Sequence, residues 1–236
     1  NYMLGGRFRA SFRPLNDNII NGRIRGIVGL VGCTNPKVPQ DYTHTTLARE
    51  LIKRDVLVLT TGCATIACGK QGLANPKTAL DLAGPGLREV CEAVGIPPIL
   101  ACGSCVDNSR LLVACSELVR EGGLGEDLSD LPVAGACLES MHEKAIAIGQ
   151  YFVASGALVV FADDILPIAG SANVSEYLYG GIEEDLGGRW AIESDPVKAA
   201  DMLLAHIESK RDALGINKAK ERKLYDMADR RALAVE

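Results

Sequence analysis

Short, nearly continuous apolar runs alternate with helical patterns along most of the chain, and this alternation limits the fold more than any other feature. Residues 23–31, 56–61, 97–102, 131–136, 157–162 and 189–193 read as strands. Between and after them, residues 42–54, 64–72, 85–94, 106–120, 140–154 and 197–214 read as helices, with a further short helix opening at Asn75-Pro76. Strands this apolar, without polar alternation, suit a parallel sheet covered on both faces. The expected fold is therefore α/β: a doubly wound, mostly parallel, Rossmann-like sheet with C-terminal helices. It would occupy residues 19–215, after an irregular segment at 1–18 and before a charged helical tail at 216–236.

Three of the strand patterns share an ending. The first closes on Gly32-Cys33, the second on Gly62-Cys63, and the third runs through Cys102-Gly-Ser into Cys105. In an open parallel sheet ligands sit outside the carboxyl ends of the strands. Cys33, Cys63 and Cys105 would thus lie along one edge. Thiolate sulfur is a soft ligand suited to zinc, copper(I) and iron–sulfur groups. The spacings, 30 residues from 33 to 63 and 42 from 63 to 105, exclude a site built from one loop. Any metal site here would take one ligand per strand. Cys102 and Cys105 also form a Cys-x-x-Cys pair, and a dithiol oxidoreductase is the alternative that this spacing leaves open.

The remaining cysteines read as buried, reduced, hydrophobe-like residues, Cys91 and Cys115 at apolar helical positions and Cys68 and Cys137 alongside them. Eight cysteines in a 236-residue chain that is 47% apolar do not make a disulfide scaffold, because the core is ample. A net charge of −5 argues against nucleic acid or an anionic membrane as partner. No uncharged apolar run reaches the roughly 18 residues of a membrane span. The opening stretch NYMLGGRF has no leader pattern, so a cytoplasmic chain is expected, the C-terminal part of something longer. No Gly-x-Gly-x-x-Gly follows a strand and no Gly-Lys-Ser/Thr occurs, so dinucleotide and Walker sites are not indicated.

Lys144 stands out among the charged residues. It falls in the first turns of a helix, where a cation opposes the macrodipole, while Glu139 and Glu143 suit it. That helix follows the fourth strand, so Lys144 can project towards the cysteine edge; a solvated surface lysine is the alternative that the pattern leaves open. His142 reads as a structural histidine, and His44 and His206 read as helix-surface residues.

The stretches GCTNPKVPQD (32–41), TGC (61–63), GSCVDNSR (103–110) and MHEKAIAIG (141–149) together resemble the C-terminal third of nickel-containing anaerobic carbon monoxide dehydrogenases. The resemblance runs over roughly residues 12–215. It implies an enzyme interconverting CO and water with CO2, two protons and two electrons at a nickel–iron–sulfur cluster. Matched motif by motif, Cys33 and Cys63 would hold iron and Cys105 nickel. Lys144 would stabilise the developing carboxylate by charge and hydrogen bond, and Ile148 would wall the CO pocket. The resemblance further implies a homodimeric core, a ferredoxin-like electron carrier and, in some members, an acetyl-CoA synthase subunit alongside.

The chain departs from that pattern in what it lacks. The family centre takes a His and two more Cys from a preceding region, and its Fe4S4 clusters lie further towards the N-terminus. This sequence carries neither, so the N-terminal part of such an enzyme is an implied partner. A non-catalytic α/β assembly module with vestigial cysteines is the remaining alternative.

Overall fold

The computed structural model describes residues 12–140, 144–163 and 170–217. Six parallel strands form one sheet: β1 (Gly26–Leu30), β2 (Val56–Thr60), β3 (Ile99–Ala101), β4 (Val133–Cys137), β5 (Leu158–Phe161) and β6 (Arg189–Ile192). Their order is β3-β2-β1-β4-β5-β6, so the winding reverses between β1 and β4. This is the doubly wound sheet expected from the apolar runs. β2 and β5 are buried at every position, as strands covered on both faces must be.

The covering layers are fixed by close approaches at glycines. A Cβ on Gly26 would meet Ile207 of helix α10 (Pro196–Ala213) at 2.7 Å, on one face. A Cβ on Gly29 would meet Leu111 of α6 (Ser109–Glu121) at 3.2 Å, on the other. α2 (Tyr42–Lys53) packs beside α10, tied by Arg54 to Asp201 at 3.1 Å. α7 (Lys144–Ala154) packs on β4 and β5, where a Cβ on Gly149 would fall 2.0 Å from the Phe161 ring. The same ring stacks on Trp190 with centroids 4.2 Å apart.

The N-terminal expectation needs correction. Residues 13–20 are not irregular but form α1 (Arg13–Ile20), with Pro14 in its first turn. Ile19 is buried and Leu15 and Ile20 pack on the core, and polar anchors add to this apolar contact. Buried Asn16 donates from Nδ2 to the carbonyls of Leu118 and Gly122, both at 2.9 Å. The Phe12 N–H donates to Glu121 Oε2 at 3.1 Å. With only eight residues, half of them polar or charged, the helix offers a short apolar period, and its polar bonds to another helix cannot be read from sequence.

A second stretch went unassigned from sequence. Between the loop expected at 167–170 and β6 lie α8 (Ala172–Glu176), a π-helical turn (Tyr177–Gly181) and α9 (Ile182–Leu186). Its residues are largely exposed, with only Ile182 buried and Leu178 packed on the core, too few to show a helical period. Of that loop only Gly170 is among the described residues, as are only 216 and 217 of the proposed tail. Among the described residues no helix is long and apolar enough to cross a membrane.

His206 is not a surface residue either. It is partly buried on α10, and burial pushes its imidazole down to about 4, with Lys210 and Arg189 adding repulsion and a hydrogen bond to the Val133 backbone opposing. An unfolded histidine protonates near 6.5. Between those values the unfolded chain binds the extra proton, so stability is complete above about pH 6.5 and falls as pH drops towards 4. Partial solvent contact limits the loss to about 1–3 kcal/mol. Urea titrations at pH 7 and pH 4.5 should show a larger acid destabilisation in the parent chain than in His206→Gln. Equal losses would remove His206 as the cause.

Candidate functional site

The three cysteines follow three adjacent strands. Cys33 comes three residues after β1, and Cys105 opens a 3-10 turn (Cys105–Asp107) after β3. Cys63 lies inside the first turn of α3 (Gly62–Lys70), which starts two residues earlier than its sequence pattern suggests. Gly62, with φ +58°, makes that sharp entry possible. Its own Cβ would sit 3.1 Å from Cys105 Cβ, so the second and third cysteine turns pack directly on each other. The Gly62 N–H also donates to the Gly103 carbonyl at 3.0 Å.

Most residues of the 103–110 block have a physical assignment. Gly103 adopts φ +125°, and a side chain there would collide with Asp107. Asp107 accepts from Ser104 N–H at 2.8 Å and Ser104 Oγ–H at 3.0 Å, a capping box that closes the turn. These bonds hold the Asp107 carboxyl below the usual carboxylate range. Asn108 donates from Nδ2 to the Cys105 carbonyl at 3.0 Å and receives the buried Thr61 hydroxyl at 2.5 Å. Arg110 pairs with Asp107 at 3.0 Å and donates to the Cys102 carbonyl at 3.1 Å. The block is thus a rigid mount for Cys105, cross-linked through Thr61 to the turn that carries Cys63.

Cys33 is mounted differently. Its N–H donates to the Glu139 carbonyl at 2.8 Å, and its carbonyl accepts from His44 Nε2 at 2.7 Å. Glu139 follows β4, so this clasp spans the point where the strand order reverses, the expected ligand crevice of such sheets. Gly32 has φ +134° and a Cβ there would fall 2.3 Å from the Glu139 carbonyl. Gly32→Ala should therefore lower stability by about 2–3 kcal/mol. Gly69→Ala, at an open helical position, should be neutral or mildly stabilising. Thermal unfolding of the two variants checks this; equal midpoints would mean that the Cys33 turn is less constrained than its contacts indicate.

Cys63 is exposed and Cys33 and Cys105 are partly exposed, whereas Cys68, Cys91 and Cys137 are buried. Burial pushes the thiols of Cys68, Cys91, Cys115 and Cys137 up to about 11, 12, 12 and 12, and raises that of Cys102. A raised Cys102 thiol is poor for dithiol exchange. All eight cysteines are described, and none forms a disulfide.

Among the described residues no group of three His, Cys, Asp or Glu side chains converges tightly enough to hold a metal ion. Among the described residues, three thiols thus follow neighbouring strand ends without a closed metal site. Ile148 is partly buried on α7 against the core. Lys144 is the first residue of α7; its side chain, and all of His142, lie outside the described residues.

A family model described as Prismane/CO dehydrogenase matches residues 5–197. The chain belongs to the Prismane/CO dehydrogenase family. Carbon monoxide dehydrogenase 1 of Methanosarcina mazei is 50% identical over 204 residues, which are 86% of this chain and 32% of that protein. Carbon monoxide dehydrogenase 2 of Carboxydothermus hydrogenoformans is 43% identical over 212 residues, 86% of this chain and 33% of that one. Among solved structures, a nickel-free carbon monoxide dehydrogenase from Thermococcus sp. AM4 superimposes with a TM-score of 0.81 at 50% identity, covering 87% of this chain and 32% of that one. The chain spans about a third of the length of the relatives it matches, and the matched third is their C-terminal one.

Sequence reasoning missed His44 and Glu139 as parts of this edge. His44 was expected on a helix surface and is fully buried. The clue was present: His44 stands three residues before Leu47, four before Ala48 and seven before Leu51, on the buried stripe of α2. Glu139 is also fully buried, which no local pattern in the stretch after β4 announces.

Proposed function

We propose that this chain is the cluster-binding third of an anaerobic carbon monoxide dehydrogenase, contributing Cys33 and Cys63 as iron ligands and Cys105 as the nickel ligand. The observation that carries the reading is the placement of those three thiols in the turns that follow β1, β2 and β3; Cys102 also adjoins β3, but burial raises its thiol. Soft, solvent-reachable sulfurs on one edge fit a sulfur-ligated metal group chemically. Their incomplete convergence fits a centre that also draws ligands from the other two thirds of the relatives' length. Ile66 and Val106, 62% and 75% exposed beside Cys63 and Cys105, suit a surface that such a region covers.

A nickel–iron–sulfur group, when bound, supplies an electron-rich metal for CO and a Lewis acid for water. The chain's own residues do the rest. The capping box and Asn108 fix the Cys105 backbone, so the thiolate is presented without reorganisation. Lys144, at the head of α7 after the strand adjoining β1, supplies positive charge where negative charge develops. Ile148, one turn further on, contributes apolar wall and helps exclude water. The same reading implies Fe4S4 clusters on the N-terminal region, a homodimeric core and a ferredoxin-like acceptor. One structural neighbour, at 31% identity and a TM-score of 0.84, is an acetyl-CoA synthase/carbon monoxide dehydrogenase with NiZn[Fe4S4] and NiNi[Fe4S4] clusters. An acetyl-CoA synthase subunit is accordingly a candidate partner here.

The test uses the full-length protein that contains this segment. Purified anaerobically, it should hold iron and nickel and reduce a viologen dye with CO. Full-length protein without nickel and without CO-dependent reduction would sink the proposal and favour a non-catalytic assembly module.

A further inference from the structure

His44 and Glu139 hold the Cys33 turn from both sides. The contacts run through backbone and side chain alike: His44 Nε2 to the Cys33 carbonyl at 2.7 Å, and the Cys33 N–H to the Glu139 carbonyl at 2.8 Å. The Glu139 side chain then returns to α2. Its Oε1 accepts from the Thr43 N–H at 3.1 Å, and its Oε2 stands 4.0 Å from His44 Nε2. A carbonyl can only accept, so His44 Nε2 carries a proton in this contact. β1, α2 and the segment after β4 are thereby closed into one dry unit around residue 33, since both side chains are 0% exposed.

Two atoms of this unit exceed what a clasp needs. His44 Nδ1 and Glu139 Oε2 are buried and have no hydrogen-bond partner among the described residues. Leaving a buried polar atom unsatisfied costs about 1–3 kcal/mol. A clasp serving stability alone needs one donor to the Cys33 carbonyl and one acceptor for Thr43, and neutral amides supply both without a buried carboxylate. A carboxyl group and an imidazole instead place polar groups against the backbone of one cysteine of the edge. The partners of metal ligands act in this way: they orient the ligand and tune the metal.

We propose that His44 and Glu139 are positioning residues for the iron-binding thiolate of Cys33, fixing its backbone and contributing to the electrostatic field around it. This rests on the assignment of Cys33 as an iron ligand made above. Loss of such partners costs about 10–100-fold in metal affinity or activity.

The experiment compares His44→Leu, His44→Gln, Glu139→Gln and Cys33→Ala in the full-length protein. Iron and nickel content, the reduction midpoint and the electron paramagnetic resonance of the cluster are measured beside CO oxidation. His44→Leu and Glu139→Gln should keep the fold, shift the midpoint and the resonance signal, and lower CO oxidation about tenfold or more. His44→Gln returns an amide N–H to the Cys33 carbonyl and should move the signal back towards the parent. If His44→Leu does not assemble, the isosteric Glu139→Gln decides alone. A parental midpoint and resonance signal in the variants that assemble overturns the inference. Cys33→Ala separates the two layers: if it keeps full iron content and activity, the ligand assignment itself fails. If it loses iron while Glu139→Gln and His44→Leu stay spectroscopically parental, only the positioning role fails.

Discussion

Cys105→Ala in the full-length protein is expected to lower CO-dependent viologen reduction at least about a thousandfold, roughly 4 kcal/mol of transition-state stabilisation, and to deplete nickel. The substitution is informative because many of the bonds that hold the turn run through other atoms. Ser104, Asp107, Asn108 and Arg110 brace the turn through backbone atoms and one another. Truncating a partly exposed side chain should cost about 1 kcal/mol or less. A large loss of activity without a matching loss of stability therefore reports chemistry. Cys91→Ala is the complementary control. Its thiol is buried and pushed up to about 12, so that variant should lose stability but keep its metals. If Cys105→Ala retains nickel and parental rates, the nickel-ligand assignment is wrong; if Cys91→Ala depletes nickel to the same degree, metal loss follows destabilisation and the comparison loses its force.

The sheet was legible in the sequence because burial on both faces leaves an unmistakable pattern. β2 and β5 contain almost nothing but apolar residues, and β1, β2 and β3 are each followed two residues on by a glycine, Gly32, Gly62 and Gly103. The cysteine turns were legible for a related reason. A glycine forced to positive φ, followed by a thiol, is a local feature that the sequence cannot hide, as at Gly32 and Gly62. What could not be read is what depends on distant contacts. His44 and Glu139 are 95 residues apart in sequence, and only the adjacency of β1 and β4 brings them together. α1 was missed because its anchors, Asn16 among them, are polar groups bonded to another helix's end. The start of α3 was misplaced because Gly62 and Cys63 look like a loop until the neighbouring turn is seen to support them.

Arg211→Met should cost about 3–5 kcal/mol, a large share of the roughly 5–15 kcal/mol that stabilises a domain. Arg211 is fully buried near the end of α10, and burial pulls its guanidinium down to about 10. It is nevertheless kept charged by where its donors go. They reach the carbonyls of Ile19 at 2.7 Å, Arg25 at 3.1 Å and Ile216 at 3.4 Å, and Asn217 Oδ1 at 2.9 Å. The nearest acid, Glu208, lies 4.0 Å from Nε and also pairs with Arg25. Replacing a buried ion pair by well-packed apolar residues can be neutral, because both partners leave together. Here the acceptors are mostly backbone carbonyls, which no substitution removes. Methionine would fill the volume and leave them without donors, at the junction of α1, the entry to β1 and the end of α10. Lysine keeps the charge but cannot spread its donors over four acceptors, so Arg211→Lys should fall between parent and Arg211→Met. With a urea slope of about 2–3 kcal/mol per molar, the midpoint of Arg211→Met should drop by about 1–2 M at unchanged slope. A shift of a few tenths molar, or a lysine variant less stable than methionine, would show that burial of the charge outweighs its carbonyl contacts.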